Sequence, residues 1–312
     1  MLHTRSTGGL FNLSRLRAKT KTKRVLIREL LYADDAALVA HSEVHLQNLC
    51  ERFAKACNDF SMTINLQTVV MALGTSSPPR IFINGSPLNV VDRFSYLGSI
   101  VNSSNNLDDE INQRIGKTST NFGRLSFRVW KNRHLAIKLK IKVYTACILS
   151  VLLYSSKTLC TYRRQENRLK AFHFRCLRSI LGVSWRDHVP NSTTLHLTGS
   201  YDSITIIRQR RLRWLGHAHR MEDGRLPKDI LYSEFYNAPR GTGRPKLRYN
   251  DVIMRDMAGF HISPQSWETL SADRNRRRAS EFCLFIVSHK LRRKNGETLS
   301  SSLTMTGWAM MT

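Results

Sequence analysis

Two adjacent aspartates, Asp34 and Asp35, separate two short apolar runs at residues 25–32 and 36–40. Apolar runs divided so briefly are typical of a tight β-hairpin, so both carboxylates are expected at its tip. Like charges this close repel each other unless a cation neutralises them, and Mg²⁺ prefers oxygen ligands and phosphates. In two-metal phosphoryl transfer, carboxylates hold the ions that activate a hydroxyl and stabilise the leaving group. The pair predicts a magnesium site for such chemistry or, as the alternative, a solvated polar turn.

A helix and two short strands are expected directly after this hairpin. Ser42 can cap a helix at its N-terminus, and apolar residues then recur at helical spacing. They are Leu46, Leu49, Phe53, Cys57 and Phe60. Strands are predicted at residues 62–66 and 69–73. A hairpin, a crossover helix and a returning strand form half of an α+β layer.

A second hairpin is predicted after the linker that opens with Pro78-Pro79. Asn84-Gly85 stands between the apolar runs 81–83 and 88–91, and Asn-Gly in this position is a strong hairpin signal. Residues 94–98 follow as a further strand. These strands are expected to close the first domain near residue 105.

Beyond residue 106 the apolar spacing becomes helical. Three helices are predicted over apolar positions Ile111, Ile115, Phe122 and Leu125, then Leu139, Val143, Ala146, Ser150 and Leu153, then Leu169, Phe172, Cys176 and Ile180. Gly182 is expected to end the third helix as a C-cap. Further helices are predicted at residues 204–214 and 266–285. The sequence therefore predicts an α+β fold with a mainly helical second part.

Basic residues outnumber acidic ones by 49 to 23, which gives a formal net charge of +26. On a globular composition, this charge predicts a polyanionic partner and points to nucleic acid. An alternating basic segment would align its cations on one face of an extended strand, and a Gly/Pro/Arg loop carries further cations. The candidate nucleic-acid-binding residues are Arg15, Arg17, Lys19, Lys21 and Lys23 in the segment, and Arg240, Arg244 and Lys246 in the loop. A solvated arm and a solvated linker are the alternatives.

Aromatic and cysteine residues are interpreted mainly as core. Trp185, Trp214 and Trp267 lie among basic residues and could stack on bases, but core positions are favoured. The six cysteines are scattered through apolar helical stretches without zinc-binding spacing, so they are interpreted as reduced core residues. No membrane-spanning stretch and no signal peptide are recognisable. The expected location is intracellular, in the nucleus or cytoplasm, without secretion.

The sequence Tyr32-Ala33-Asp34-Asp35 belongs to a longer ordered pattern. The other segments of this pattern are residues 9–13, 94–99, 114–117, 143–144, 152–154, 211–217 and 220–221. In this order they resemble the reverse transcriptases of non-LTR (LINE-like) retrotransposons, over about residues 5 to 278. The tetrapeptide resembles the catalytic hairpin of the polymerase palm, and residues 94–99 resemble the primer-grip hairpin.

The resemblance implies a role for each matched residue. Asp34 would be the principal Mg²⁺ ligand and Asp35 its neighbour at the metal site, whereas Tyr32 and Ala33 would lie beside the nucleotide and the primer end. The implied primer grip consists of Phe94, Tyr96, Leu97 and Gly98. The implied partners are an RNA template and a DNA primer or duplex, with a deoxynucleoside triphosphate as the only small-molecule substrate.

The resemblance also implies a division of the chain. The expected regions are a basic arm or strand at 1–24, a partial reverse transcriptase palm at 25–105, a helical thumb-like domain at 106–183, a basic helical region at 184–290 and a disordered tail at 291–312.

Several positions depart from the family pattern. The family needs a further palm aspartate on an earlier strand, and residues 1–31 contain no aspartate. Gln67 stands in the stretch where relatives carry lysines, and Ser155 and Lys157 replace the usual Gly and Glu. We therefore expect a fragment of an RNA-directed DNA polymerase that binds Mg²⁺ poorly and is inactive alone. The alternatives are a non-catalytic RNA- or DNA-binding module and a helical interaction protein whose charge keeps it soluble.

Overall fold

Most strands come before residue 103 and most helices after it, which confirms the α+β prediction. The structure is a computed structural model that describes residues 2–4, 10–11, 23–65, 67–75, 77–235, 243 and 246–272. The strands are β1 Leu2–Thr4, β2 Lys23–Val25, β3 Glu29–Tyr32, β4 Asp35–Leu38, β5 Val69–Val70, β6 Phe82–Ile83, β7 Ser86–Pro87, β8 Asn89–Val90, β9 Arg93–Tyr96, β10 Ser99–Asn102 and β11 Ser233–Phe235. The α-helices are α1 Glu43–Asp59, α2 Asp108–Arg124, α3 Ile137–Val143, α4 Ser150–Leu152, α5 Arg163–Leu181, α6 Asn191–Thr198, α7 Ser203–His219, α8 Leu226–Leu231, α9 Tyr249–Gly259 and α10 Trp267–Ala272. Irregular helical turns are π-helical at Ser126–Trp130 and Tyr144–Leu149 and 3₁₀ at Trp185–Asp187.

The strands form several small sheets. β1 pairs with both β2 and β11 in an antiparallel three-stranded sheet, whereas β5 and β8 form a parallel pair. β3–β4, β6–β7 and β9–β10 are antiparallel hairpins. The β6–β7 turn has positive φ at Asn84 (49°) and Gly85 (75°), the backbone that an Asn-Gly turn favours. The predicted Asn-Gly turn is therefore confirmed, with β7 as its second strand instead of residues 88–91.

The predicted strand at residues 62–66 is wrong for its described part. Residues 62–65 are irregular, and residue 66 lies outside the described residues. Asn65 Oδ1 accepts a hydrogen bond from the Gln67 amide at 2.9 Å, and Thr68 Oγ1 donates to the Asn65 carbonyl at 2.7 Å. Such local bonds hold a turn and compete with the pairing that a strand requires. The next prediction, 69–73, shortens to the two residues of β5.

α1 begins as predicted but buries a different set of side chains. The Ser42 hydroxyl accepts a hydrogen bond from the His45 amide, which confirms the cap. The buried residues are Cys50, Ala54 and Cys57. Phe60, expected on the same apolar face, is 77% exposed because the helix ends at Asp59 and Phe60 is its C-cap.

Apolar side chains collect in three cores. The strand core contains Cys50, Ala54, Val70, Ile81 and Ile83. The central core is formed by α2, α5 and the helical turns between them, and Ile204 and Ile207 of α7 join it. The C-terminal core contains Leu10, Leu212, Leu215, Ala218, Leu231, Tyr232, Ile253, Met257, Phe260 and Trp267. α7 therefore supplies side chains to both the central and the C-terminal core.

Most predicted helices are present. α5 and α7 contain the predicted apolar positions, and α2 contains all of its own except Leu125, which is its C-cap. Gly182 caps α5 with φ 73°. Of the helix predicted at 266–285, only the part up to residue 272 is described, and it forms α10. The tail at 291–312 lies outside the described residues. In the described part of the chain, no helix is both long and apolar enough to cross a membrane.

The cysteines only partly follow the core prediction. Cys50, Cys57 and Cys176 are buried free thiols, as predicted. Cys147 is exposed because it faces outward from the π-helical turn, and Cys160 is half-buried. Cys283 lies outside the described residues.

A buried ionic cluster joins α7, α9 and the start of α5. Arg211, fully buried, donates to Asp256 Oδ2 at 3.0 Å and to the Thr161 hydroxyl. Arg255 donates to Glu166 Oε1 at 2.6 Å, and Thr161 Oγ1 donates to the same oxygen at 2.9 Å. We call these five residues the Arg211 cluster.

Candidate functional site

The β3–β4 hairpin presents the two aspartates at an exposed end. Tyr32 pairs with Asp35, so only Ala33 and Asp34 form the turn and Asp35 is the first residue of β4. Directly opposed residues of an antiparallel pair project from the same face, which puts the Tyr32 and Asp35 side chains side by side. All four residues are exposed, and the Tyr32 ring is exposed by 66%. Our prediction of a tight hairpin is confirmed, and only Asp34 lies at its tip.

Ala33 has a backbone conformation that alanine rarely adopts. Its φ is 51°, in the left-handed region that favours glycine. A non-glycine residue held there costs on the order of 1–3 kcal/mol and is often found at functional sites. The turn is therefore strained at the residue beside Asp34.

The Asp34 and Asp35 side chains make no hydrogen bond or ion pair with other described residues. The described part of the chain also contains no group of three or more His, Cys, Asp or Glu side chains that could hold a metal ion. Mg²⁺ requires near-octahedral oxygen coordination, and two exposed carboxylates supply only part of it. The two carboxylates alone would therefore supply only part of an Mg²⁺ coordination shell.

The β9–β10 hairpin lies against the β3–β4 hairpin. Tyr96 donates from its hydroxyl to the carbonyl oxygen of Leu30 in β3 at 3.1 Å. Phe94 and Tyr96 are half-buried, whereas Leu97 and Gly98 form the exposed turn with φ of 47° and 78°. The structure therefore brings the predicted primer-grip residues next to the strand that leads into Tyr32.

Polar contacts from α2 support the β9–β10 hairpin, and we did not predict them from the sequence. The Arg114 guanidinium of α2 contacts the Glu110 carboxylate and the Tyr154 carbonyl, and Glu110 also accepts from the Ile100 amide of β10. A Cβ atom placed on Gly98 would lie 3.3 Å from the Tyr154 ring. The i, i+4 spacing of Glu110 and Arg114 in the sequence is enough to predict an ion pair on one helix face. The contact of this pair with β10 could not be predicted from the sequence, because it joins two separate elements.

The chain is similar to a transposon-derived protein of Caenorhabditis elegans. The two sequences are 25% identical over 268 residues, which cover 80% of this chain and 92% of the relative. That relative is itself described as uncharacterized. No family model matches the chain, and no solved structure matches it.

The predicted basic contacts are mostly outside the described residues. Arg15, Arg17, Lys19, Lys21, Arg240 and Arg244 lie there, and Lys23 is described only by its backbone in β2. Lys246 is exposed, and its ammonium group donates to the Ser104 carbonyl at 3.0 Å. Lys246 thus contacts the segment just after β10, next to the β9–β10 hairpin.

The three tryptophans separate into core and surface. Trp267 is buried against Phe11 and His219, and Trp214 makes an edge contact with Tyr249 at 5.6 Å between ring centroids. Trp185 is 79% exposed, so its preferred core interpretation is wrong. It lies in a 3₁₀ turn after α5, and none of the three residues of that turn is buried.

Proposed function

We propose that this chain derives from the reverse transcriptase of a non-LTR retrotransposon. The observation that carries the proposal is the exposed turn of Tyr32, Ala33, Asp34 and Asp35, on a hairpin whose strand β3 accepts a hydrogen bond from Tyr96 of the β9–β10 hairpin. The similarity to a transposon-derived protein supports an origin in a transposable element. The sequence resemblance adds the specific polymerase class.

We further propose that residues 1–312 alone bind nucleic acid without catalysing nucleotidyl transfer. The described carboxylates supply only part of a magnesium coordination shell, so Asp34 and Asp35 would bind Mg²⁺ weakly. The formal charge of +26 favours binding of an RNA template paired with a DNA primer, because phosphate contacts dominate such affinities.

A primer-extension assay, together with a binding titration, tests whether the chain binds nucleic acid and whether it catalyses nucleotidyl transfer. Wild type, Asp34→Asn and the control Asp59→Asn are each mixed with a labelled DNA primer on an RNA template, deoxynucleoside triphosphates and Mg²⁺. Asp59 is an exposed aspartate at the end of α1, so it provides the same charge change away from the hairpin. We expect binding by all three proteins, with affinity that falls steeply as salt rises, and no primer extension by any of them.

Magnesium binding gives a readout that does not depend on activity. Amide chemical shifts of residues 33–35 are followed by NMR while Mg²⁺ is added. We expect weak, saturable shifts in wild type and Asp59→Asn that are lost in Asp34→Asn. Primer extension that Asp34→Asn abolishes would overturn the claim of inactivity. Absence of any shift at the hairpin would overturn its assignment as a metal-binding turn.

A further inference from the structure

A groove of about 790 Å³ opens at the C-terminal end of α5. Its walls come from the last turns of that helix and from the segment that follows it. The lining includes Arg175, Arg178, Ser184, Trp185, His188 and Val189. The groove is separate from the β3–β4 hairpin in sequence, and the role argued for it here rests on the nucleic-acid binding proposed above.

Trp185 gives the groove an aromatic surface. Its side chain is 79% exposed, although a tryptophan gains much free energy from burial and is seldom left in solvent. The 3₁₀ turn that carries it is well fixed: the Ser184 hydroxyl accepts from the Arg186 amide at 3.1 Å, and Asp187 Oδ2 accepts from the Ser184 amide at 2.6 Å. A rigid turn that displays an indole to solvent is suited to stacking on a planar partner.

Cations lie beside the indole and in the groove lining. The Arg186 guanidinium lies 5.7 Å from the centroid of the Trp185 ring, next to the groove lining. Arg175 lines the groove and is exposed, and its side chain makes no hydrogen bond or ion pair within the described chain. Arg178 is already engaged, since it donates to Asn191 Oδ1 at 2.6 Å and to the Val189 carbonyl. Asp187 is the nearby acid; its Oδ2 accepts from the Ser184 amide, and within the described chain it forms no ion pair with Arg175 or Arg186. Arg175 and Arg186 therefore remain available for an anionic ligand.

We propose that this groove binds an unpaired nucleotide of a single-stranded nucleic acid, with the base stacked on Trp185 and the phosphates beside Arg175 and Arg186. An aromatic platform flanked by cations is the arrangement that binds single strands without strict sequence preference. An acidic ligand without a ring would use the arginines but leave the indole uncovered. An apolar protein partner would use the indole but leave two cations without counter-charges.

Oligonucleotide binding tests the role of the indole. Wild type, Trp185→Ala and Trp185→Phe are titrated against fluorescently labelled single-stranded RNA and DNA of roughly ten nucleotides, a length that such sites commonly cover. We expect Trp185→Ala to lower affinity about 10-fold and Trp185→Phe to retain most of it, because one stacked base contributes on this order. The RNA and DNA titrations show which of the two the groove prefers.

Phe127→Ala is the matched control. Phe127 is 82% exposed and has Lys131 at 4.7 Å over its ring, but it lies outside the groove lining. We expect its loss to change affinity less than twofold. Circular dichroism and thermal unfolding of each variant verify the fold, which should be intact because both side chains are exposed.

Arg175→Ala tests the phosphate contact. We expect the slope of log affinity against log salt to decrease by about 0.7, which corresponds to one phosphate contact on a single strand. Equal affinity of Trp185→Ala and wild type for both oligonucleotides would overturn the proposal. An equal loss in Phe127→Ala would also overturn it, because binding would then reflect any exposed aromatic ring. These outcomes do not depend on the polymerase ancestry, since no measurement involves Asp34, Mg²⁺ or primer extension.

Discussion

At the scale of single residues, His173 shows how burial determines a protonation state. It is fully buried in the central core, where its Nε2 lies 3.0 Å from the Tyr201 carbonyl oxygen and its Nδ1 lies 2.7 Å from the Tyr144 hydroxyl. A carbonyl oxygen only accepts, so Nε2 carries the proton and Nδ1 accepts from Tyr144. Burial lowers the pKa of His173 to about 4, although the Tyr201 carbonyl and Asp202 act in the opposite direction. The folded protein therefore keeps this ring neutral.

This lowered pKa predicts acid sensitivity. Above about pH 7 the ring is neutral in both folded and unfolded chains, so it adds no pH dependence. As the pH falls from 6.5 towards 4, the unfolded chain binds a proton that the folded chain does not, and the free energy of unfolding decreases by up to about 3 kcal/mol. Urea unfolding at several pH values, for wild type and His173→Gln, measures this effect.

The glutamine variant is the control because its amide can donate to Tyr201 and accept from Tyr144 without titrating. Other groups titrate in both proteins, so their contributions to the pH dependence of stability cancel when one profile is subtracted from the other. A difference profile that is flat between pH 4 and 7 would show that His173 has an ordinary pKa.

At the scale of elements, two hairpin turns differ in one contact. Gly85 and Gly98 both have φ near 75°, at 75° and 78°. A Cβ on Gly85 would meet nothing within 4 Å, whereas one on Gly98 would meet Tyr154 Cε1 at 3.3 Å. We expect Gly85→Ala to cost about 1–2 kcal/mol for the left-handed backbone alone. Gly98→Ala should cost more, because the Tyr154 ring must also move. Chemical denaturation of each variant gives both free energies.

Removing the ring isolates its contribution. In a Tyr154→Ala background, Gly98→Ala should cost the same as Gly85→Ala, since only the backbone term remains. If the excess cost of Gly98→Ala persists without the ring, the β9–β10 turn does not pack on Tyr154 as described.

The same turns show what the sequence could and could not predict. Asn84-Gly85 marked a hairpin correctly because its backbone preference is local. The pairing of β8 with β5 was not predictable, because it depends on strands that meet only after the chain has folded. The strand expected at 62–66 failed because apolar spacing does not reveal that Asn65 bonds to its own neighbours. The β3–β4 hairpin was recognised from sequence, but the contact of Tyr96 with Leu30 joins positions far apart in the chain.

At the scale of the whole molecule, the Arg211 cluster joins the parts that surround two cores. α7 contributes Ile204 and Ile207 to the central core and Leu212 and Leu215 to the C-terminal core. Arg211 lies between these two pairs on α7 and contacts Asp256 of α9. Burial raises the pKa of Asp256, although Arg211, Arg208 and Arg255 all lower it. The cluster therefore holds a carboxylate whose loss of water is only partly offset by its partners.

We predict that removing one charge from this cluster destabilises the chain strongly. Arg211→Met leaves the Asp256 carboxylate buried without its closest cation, and breaking a buried pair in this way typically costs about 3–5 kcal/mol. The double variant Arg211→Met/Asp256→Leu should recover much of that loss, because it removes both buried charges and keeps comparable volume. Urea denaturation followed by circular dichroism measures the three proteins.

Arg225→Met is the control, because Arg225 pairs with Glu222 at 3.7 Å where both side chains are largely exposed. Solvent screens such a pair, so its loss should change stability little. If the double variant is no more stable than Arg211→Met, the cost would lie in lost packing and hydrogen bonds, including the one to Thr161. If Arg211→Met costs no more than Arg225→Met, the cluster does not hold α7 against α9, and the two cores would be joined by the apolar side chains of α7 alone.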